Sequence, residues 1–215
     1  TSCEKEKMPV KQPVYSFETD SITDIEGNVY KTVRIGEQWW MAENLRVRRY
    51  RNNIPLVYYS SLPNTQWINQ TRGAFCFLNN NPEIPSGAFY NWHAIHDPNG
   101  LAPDGWRIPS DNDWAKLEEY LGLIKDSLIM TGWRGAGVGE KLKITFNRTL
   151  SWEIDQNILN TNESGFSALP GGCVFHDGFW GAPGIFFTGY WWTSTTHNNQ
   201  QAWFRHLDYS NTGVF

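Results

Sequence analysis

Charge is scarce in this sequence: only 19% of its residues are Asp, Glu, Lys or Arg, and the formal net charge is −4. A phosphate-binding surface needs a concentration of basic side chains, so a nucleic-acid partner is excluded as a working assumption. The one basic run is Leu45-Arg-Val-Arg-Arg-Tyr-Arg51. Alternation there would put Arg46 and Arg48 on one face and Val47 and Arg49 on the other, which reads first as a solvated edge strand guarded by cations. An anionic sugar or lipid headgroup is the other reading. Long apolar runs are missing too. No stretch of about 18 apolar residues occurs, so no segment of this sequence spans a membrane as a helix.

Chemistry-bearing motifs are equally sparse. There is no G-x-S-x-G, no H-E-x-x-H and no P-loop pattern. The histidines are His93, His96, His176, His197 and His206. His93 and His96 have helical metal-ligand spacing, but no third ligand lies nearby in sequence, so packing or surface roles are expected. Acid–base or nucleophilic catalysis needs convergent carboxylates or a nucleophile with its base, and neither is visible. An enzyme is therefore not expected. Oxygen ligands for a hard cation cluster only at Asp97, Asn99 and Asp104, where Asx-rich turns ordinarily stop helices. No cofactor is expected, calcium included.

With three cysteines, no large disulfide framework can form. Thr1-Ser2-Cys3, followed by Glu4-Lys-Glu-Lys7, looks like the end of a bacterial lipoprotein signal, with Cys3 as the residue acylated. Residues 1–20 then read as a polar tether and 21–215 as one domain, since no linker interrupts the interior. Anchoring at the outer membrane, facing the cell surface or the periplasm, follows, with lipid as the only membrane contact. Cys76 and Cys173 remain. An oxidising compartment would let them bond, and two buried thiols are the alternative.

What the sequence has in abundance is aromatic: 12 Trp, 12 Phe and 9 Tyr. These supply ample apolar area for a core. Ile22–Ile25 and Val29–Ile35 flank Glu26-Gly27-Asn28, predicting a hairpin that continues through Gly36 into a strand at Gln38–Met41. From Arg51 to Pro85 the chain reads as irregular. Ser86–His96 has apolar spacing for a helix, and a second helix opens at Ser110 with Asp113 in the capping-box position, buries Trp114, Leu117 and Leu121, and stops at Gly122. Glu140–Lys143 suits a short helical turn. Tyr190–Thr196, Gln201–Tyr209 and Gly213–Phe215 read as an antiparallel meander closing beside the first strands. One indole of Trp191-Trp192 must face the core and the other must not.

This order is α+β, two helices packed on short antiparallel sheets with long irregular loops, and it suits the C-type-lectin-like fold. Five blocks sharpen it: Asp24–Leu45, Gly87–Trp92, Ala102–Trp114, Glu163–Gly172 and Gly189–Thr195. Together they resemble the Fibrobacter succinogenes major paralogous domain, a family abundant in secreted proteins and lipoproteins of Bacteroidetes and Fibrobacteres. Arg107–Trp114 also resembles the helix-opening motif of formylglycine-generating-enzyme-like domains. The cysteine pair that such enzymes use has no counterpart beside Cys173, and shared fold alone does not carry activity. Aromatic rings stack on the C–H faces of sugars while amides bind hydroxyls. The expected function is thus a non-enzymatic surface or secreted binding or adhesion module for a glycan or protein, expected to act as a monomer. An enzyme of the formylglycine-generating type or a hydrolase is the runner-up, and a structural envelope lipoprotein the third reading. Contacts are expected from the loops at 52–85 and 173–189, with His176, Asp177, Phe179, Trp180, Trp192, His197, Asn198 and Asn199 as candidates.

Overall fold

A computed structural model describes residues 16–60, 66–175, 178 and 184–215. The described residues form a mixed α+β structure with three short sheets and few helices. Strands β1 (Thr19–Thr23), β2 (Val29–Ile35) and β3 (Gln38–Met41) form an antiparallel sheet in that order. The predicted turn between β1 and β2 is held from inside. Asp24, buried, accepts the N–H groups of Glu26 and Asn28 (both 2.9 Å), the Asn28 amide (2.8 Å) and the Tyr30 hydroxyl (2.5 Å). Gly27 then takes a φ of +82°, which a side chain would resist.

The second sheet overturns the reading of 51–85 as irregular. Strand β5 (Ala74–Phe77) is buried at every residue, lies parallel to β4 (Val57–Tyr58) and antiparallel to β6 (Ala88–Tyr90). A four-residue apolar run covered on both faces shows no alternation, so periodicity cannot reveal it. The helix expected over Ser86–His96 is corrected with it. Residues 88–90 extend to pair with β5, and only Trp92–Ile95 (α1) is helical. Asn91 decides the change: its Oδ1 accepts Ala74 N and Ala94 N while its Nδ2 donates to the Arg72 carbonyl, so one side chain both caps α1 and ties β6 to β5.

Helix α2 (Asp111–Tyr120) matches expectation. Ser110 and Asp113 close the capping box, Trp114, Leu117 and Leu121 are buried, and Gly122 takes a φ of +110°. The rings of Trp40, Trp114 and Phe166 meet at centroid distances of 5.0–5.8 Å in the centre of the largest core cluster. The short turn near 140 is helix α3 (Val138–Leu142).

β7 (Thr188–Asn198) and β8 (Gln201–Asp208) form a ribbon of their own. The expected third strand shrinks to a bridge between Val214 and Arg134 with paired backbone bonds between Phe215 and His206, and the ribbon does not join the β1–β3 sheet. Instead α2 holds it. Arg205 of β8, 4% exposed, donates to Glu118 at 2.5 Å and to Asp111 at 2.7 Å, and Arg134 donates to the other Glu118 oxygen at 2.9 Å. Glu118 is fully buried. The basic run at 45–51 is likewise no edge strand: Val47 is buried, Arg46 lies over the Tyr30 ring, Arg48 and Arg49 face Glu26, and Arg51 faces Asp104. Its cations are thus spoken for within the chain. Among the described residues no helix is long and apolar enough to cross a membrane.

No disulfide joins Cys76, which is buried, to Cys173, which is partly buried. Cys76 sits in the middle of β5 within a cluster of Tyr59, Trp67 and Ala74, and burial pushes its pKa up to about 12. At that value it carries no thiolate with which to start disulfide exchange at neutral pH.

Two stability predictions follow from the buried charges. Glu118→Gln takes the facing carboxylate from buried Arg134 and one of two from Arg205, which keeps Asp111, and is expected to cost about 3–5 kcal/mol in urea unfolding; a loss under about 1 kcal/mol would contradict the role given to Glu118. Lys143 is fully buried, donates to the Asp208 and Asn211 carbonyls at 2.5 and 2.7 Å, and lies 5.3 Å from the Trp152 ring centroid. Burial lowers its pKa to about 8. Between about pH 8 and its ordinary value near 10.4 the unfolded chain binds more protons, so stability from this group rises with pH across that window. Tyr30 and Tyr90, raised by burial, act oppositely above about pH 10. The stability difference between wild type and Lys143→Met, measured from pH 7 to 10, should therefore drift in favour of the wild type as pH rises; a flat difference would refute the assignment.

Candidate functional site

Where the three sheets and α2 approach one another they leave a groove of about 1100 Å³. This exceeds the roughly 300–1,000 Å³ usual for a small-molecule pocket. Its walls are rings: Trp39 and Trp40 from β3, Phe89 and Tyr90 from β6, Trp92 from α1, and Tyr190, Trp191 and Trp192 from β7. Trp106, Phe175 and Phe204 extend them.

The two adjacent indoles of β7 divide as the alternation requires. Trp191 packs on the main core and its Nε1 donates to Asn44 Oδ1 at 3.2 Å. Trp192 turns to the opposite face, donates to the Tyr90 carbonyl at 3.0 Å and packs on Trp92 with ring centroids 5.5 Å apart. Each indole nitrogen thus reaches a different wall. Asn44 in turn donates to the Ser86 carbonyl at 2.9 Å, extending the Trp191 contact to the segment entering β6.

The ionised groups of the lining are mostly satisfied inside the chain. Arg107 makes a two-pronged contact to Asp113, and its hydrogen bonds, with those of Ser110, hold the Asp113 carboxyl far below the usual carboxylate range. Glu43 lies 3.6 Å from Arg46. Asp20 accepts the Ser21 N–H. Burial raises the Tyr190 pKa, with Cys173 the next contributor, so its hydroxyl stays a neutral donor and acceptor at physiological pH.

Of the individually expected candidates that lie among the described residues, Trp192 lines this groove, and the expected loop at 173–189 adds Cys173, Val174 and Phe175 to it. His197, Asn198 and Asn199 stand exposed at the tip of the β7–β8 hairpin: His197 meets Trp203 edge-on at 4.8 Å, and Asn198 accepts Gln200 N and donates to Gln201. His176, Asp177, Phe179, Trp180 and Cys3 lie outside the described residues. Asp97, Asn99 and Asp104 are not brought together as ligands. Asp97 accepts the Asn99 N–H and amide, Asn99 accepts from Asn52, and Asp104 turns to Arg51. Among the described residues no group of three His, Cys, Asp or Glu side chains is placed to hold a metal ion. His96 stacks on Trp92, with centroids 5.2 Å apart.

Trp39, Trp92, Trp106 and Phe204 were not singled out by sequence. For Trp39 the signal was available: in Gln38-Trp-Trp-Met41 one indole must face away from the core, and Trp39 is 40% exposed against 8% for Trp40.

No curated protein and no solved structure matches the chain. A sequence model of the Fibrobacter succinogenes major domain matches residues 33–213, which takes in β3, both the β4–β6 sheet and the β7–β8 ribbon, and every ring named above as lining the groove. The chain belongs to the Fibrobacter succinogenes major domain family.

Proposed function

We propose that this chain is a non-catalytic glycan-binding module of C-type-lectin-like fold, displayed at the outer membrane through a lipid on Cys3. The groove carries the reading. Rings from four elements converge there around paired or neutral polar groups, and such walls suit the C–H faces of sugars better than a reaction that must move charge. The order of elements supports the fold assignment: a leading hairpin, a well-capped helix, a long excursion and a closing ribbon. Thr1-Ser2-Cys3 and the charged residues after it support the anchor.

Trp39 offers the cleanest test, because it is 40% exposed and lies outside the buried core. On a glycan array the purified protein is expected to bind at least one class of sugar. Trp39→Ala should weaken that binding by about 1.4 kcal/mol, roughly tenfold, in calorimetry while leaving the thermal midpoint unchanged. An array with no hits would sink the proposal. For the anchor, Cys3→Ala should shift the protein expressed in its host from the membrane to the soluble fraction, and unchanged partitioning would refute it.

A further inference from the structure

The outer face of the ribbon continues the groove. In β7 and β8, Tyr190 pairs directly with His206 and Trp192 with Phe204, so these four side chains share one face while Trp191, Arg205 and Leu207 take the other. His206 pairs in turn with Phe215 through two backbone hydrogen bonds, 2.9 and 3.0 Å. A solvent-facing sheet surface ordinarily carries polar side chains. Here it carries rings in mutual contact.

Tyr190 and Phe204 line the groove and also begin this row. Centroids lie 5.8 Å apart from Tyr190 to Phe204, 6.1 Å from Phe204 to Phe215 and 5.5 Å from Phe215 to Trp133. His206 underlies the row, stacked on Tyr190 at 4.2 Å and only 4° from parallel. Phe204, Phe215 and Trp133 remain 38%, 38% and 41% exposed, so none of them is consumed by the core.

We infer that the ligand is an uncharged, linear polysaccharide that leaves the groove over Tyr190 and Phe204 and continues across Phe215 and Trp133. The inference rests on the glycan-binding reading above and deepens it. Two observations select this occupant. The first is continuity: Tyr190 and Phe204 belong both to the groove and to a row of rings 5.5–6.1 Å apart, which fits a chain of repeating units, whereas a single small sugar would leave the outer rings bare. The second is charge. Arg107 and Glu43 are paired within the chain, and Asp208, on the far rung of the ribbon face, accepts the Ser210 N–H and hydroxyl. Burial holds His206 below its ordinary pKa, so it is neutral at physiological pH. Among the described residues that line the groove and the row, uronic acid or sulfated chains would find no cation without a partner in the chain.

The test is calorimetry of the whole chain against neutral gluco-, manno- and xylo-oligosaccharide series, from disaccharide to hexasaccharide, with oligogalacturonides as the acidic comparison. Affinity should rise along the series that binds. Trp133→Ala should lose roughly tenfold on the hexasaccharide while the disaccharide changes by less than about twofold. Phe215→Leu, which keeps the backbone pairing with His206, gives the same readout should Trp133→Ala lower the thermal midpoint. Affinity independent of length, equal losses for short and long ligands, or preference for the oligogalacturonides would overturn the inference and leave the groove reading standing. Binding of no sugar in any series, or a ligand that proves to be a protein, would overturn both.

Discussion

Glu118 sits at the point where helix, ribbon and C-terminal bridge meet, with one oxygen on Arg205 and the other on Arg134. Taking three charges out of water costs several kcal/mol per ion, and mutual attraction offsets this only when geometry is good and the remaining donors are used. Arg205 meets both, spending another nitrogen on Asp111 at the start of the same helix, whereas the buried Arg134 Nε has no hydrogen-bond partner. What the triad supplies is orientation. β8 shares no hydrogen-bonded ladder with the other two sheets, so side chains must set which face of the ribbon turns inward. With Arg205 drawn to Glu118, residues 204 and 206 point outward, and the exposed aromatic row is a consequence of a buried ion cluster on the opposite face.

Capping and turn chemistry were legible because they are local. Asp24-Ile-Glu-Gly-Asn28 specifies its turn within five residues, and Ser110 with Asp113 specifies the start of α2 within four. The split of Trp191 and Trp192 was legible for the same reason, since alternation needs no knowledge of the partner strand. β5 and β6 were not. Their conformation is decided by pairing across the Asn79-Asn80-Asn81-Pro82 excursion and by Asn91 reaching back to Ala74, and Phe89, Trp92 and His96 happen to repeat at helical spacing. Nor could burial of Glu118 and Lys143 be read in advance. Each is an ordinary charged residue beside a buried Leu, at 117 and 142, and only the arrival of β8 and the turn after it closes the space around them.

Candidate site residues divided along the same line. Composition pointed to the glycine-punctuated loop before β7 and to the hairpin tip, where amides and rings are dense. The structure adds to the start of that loop, at Cys173 to Phe175, rings far apart in sequence: Trp39, Trp92, Trp106 and Phe204. The hairpin tip is a separate matter: Asn198 is engaged in shaping its own turn, and His197 leans on Trp203.

Three small sheets that share no backbone ladder would ordinarily be free to shift, and a groove between them would have no fixed width. The two indoles of β7 answer this. Trp191 reaches to Asn44 on the segment after β3, and Trp192 reaches to the Tyr90 carbonyl at the end of β6, so one dipeptide connects the ribbon to both other sheets through opposite faces. A buried indole N–H is a donor that must be paired or left at a cost, which makes these two contacts directional in a way ring packing alone is not. Gly189, just before them, shows how tight the junction is, because a Cβ there would fall within 2.4 Å of the Trp191 ring and 2.8 Å of the Leu169 carbonyl. The Gly189-Tyr-Trp-Trp192 segment that furnishes rings to the groove is therefore also what ties its walls together, with each indole serving both purposes.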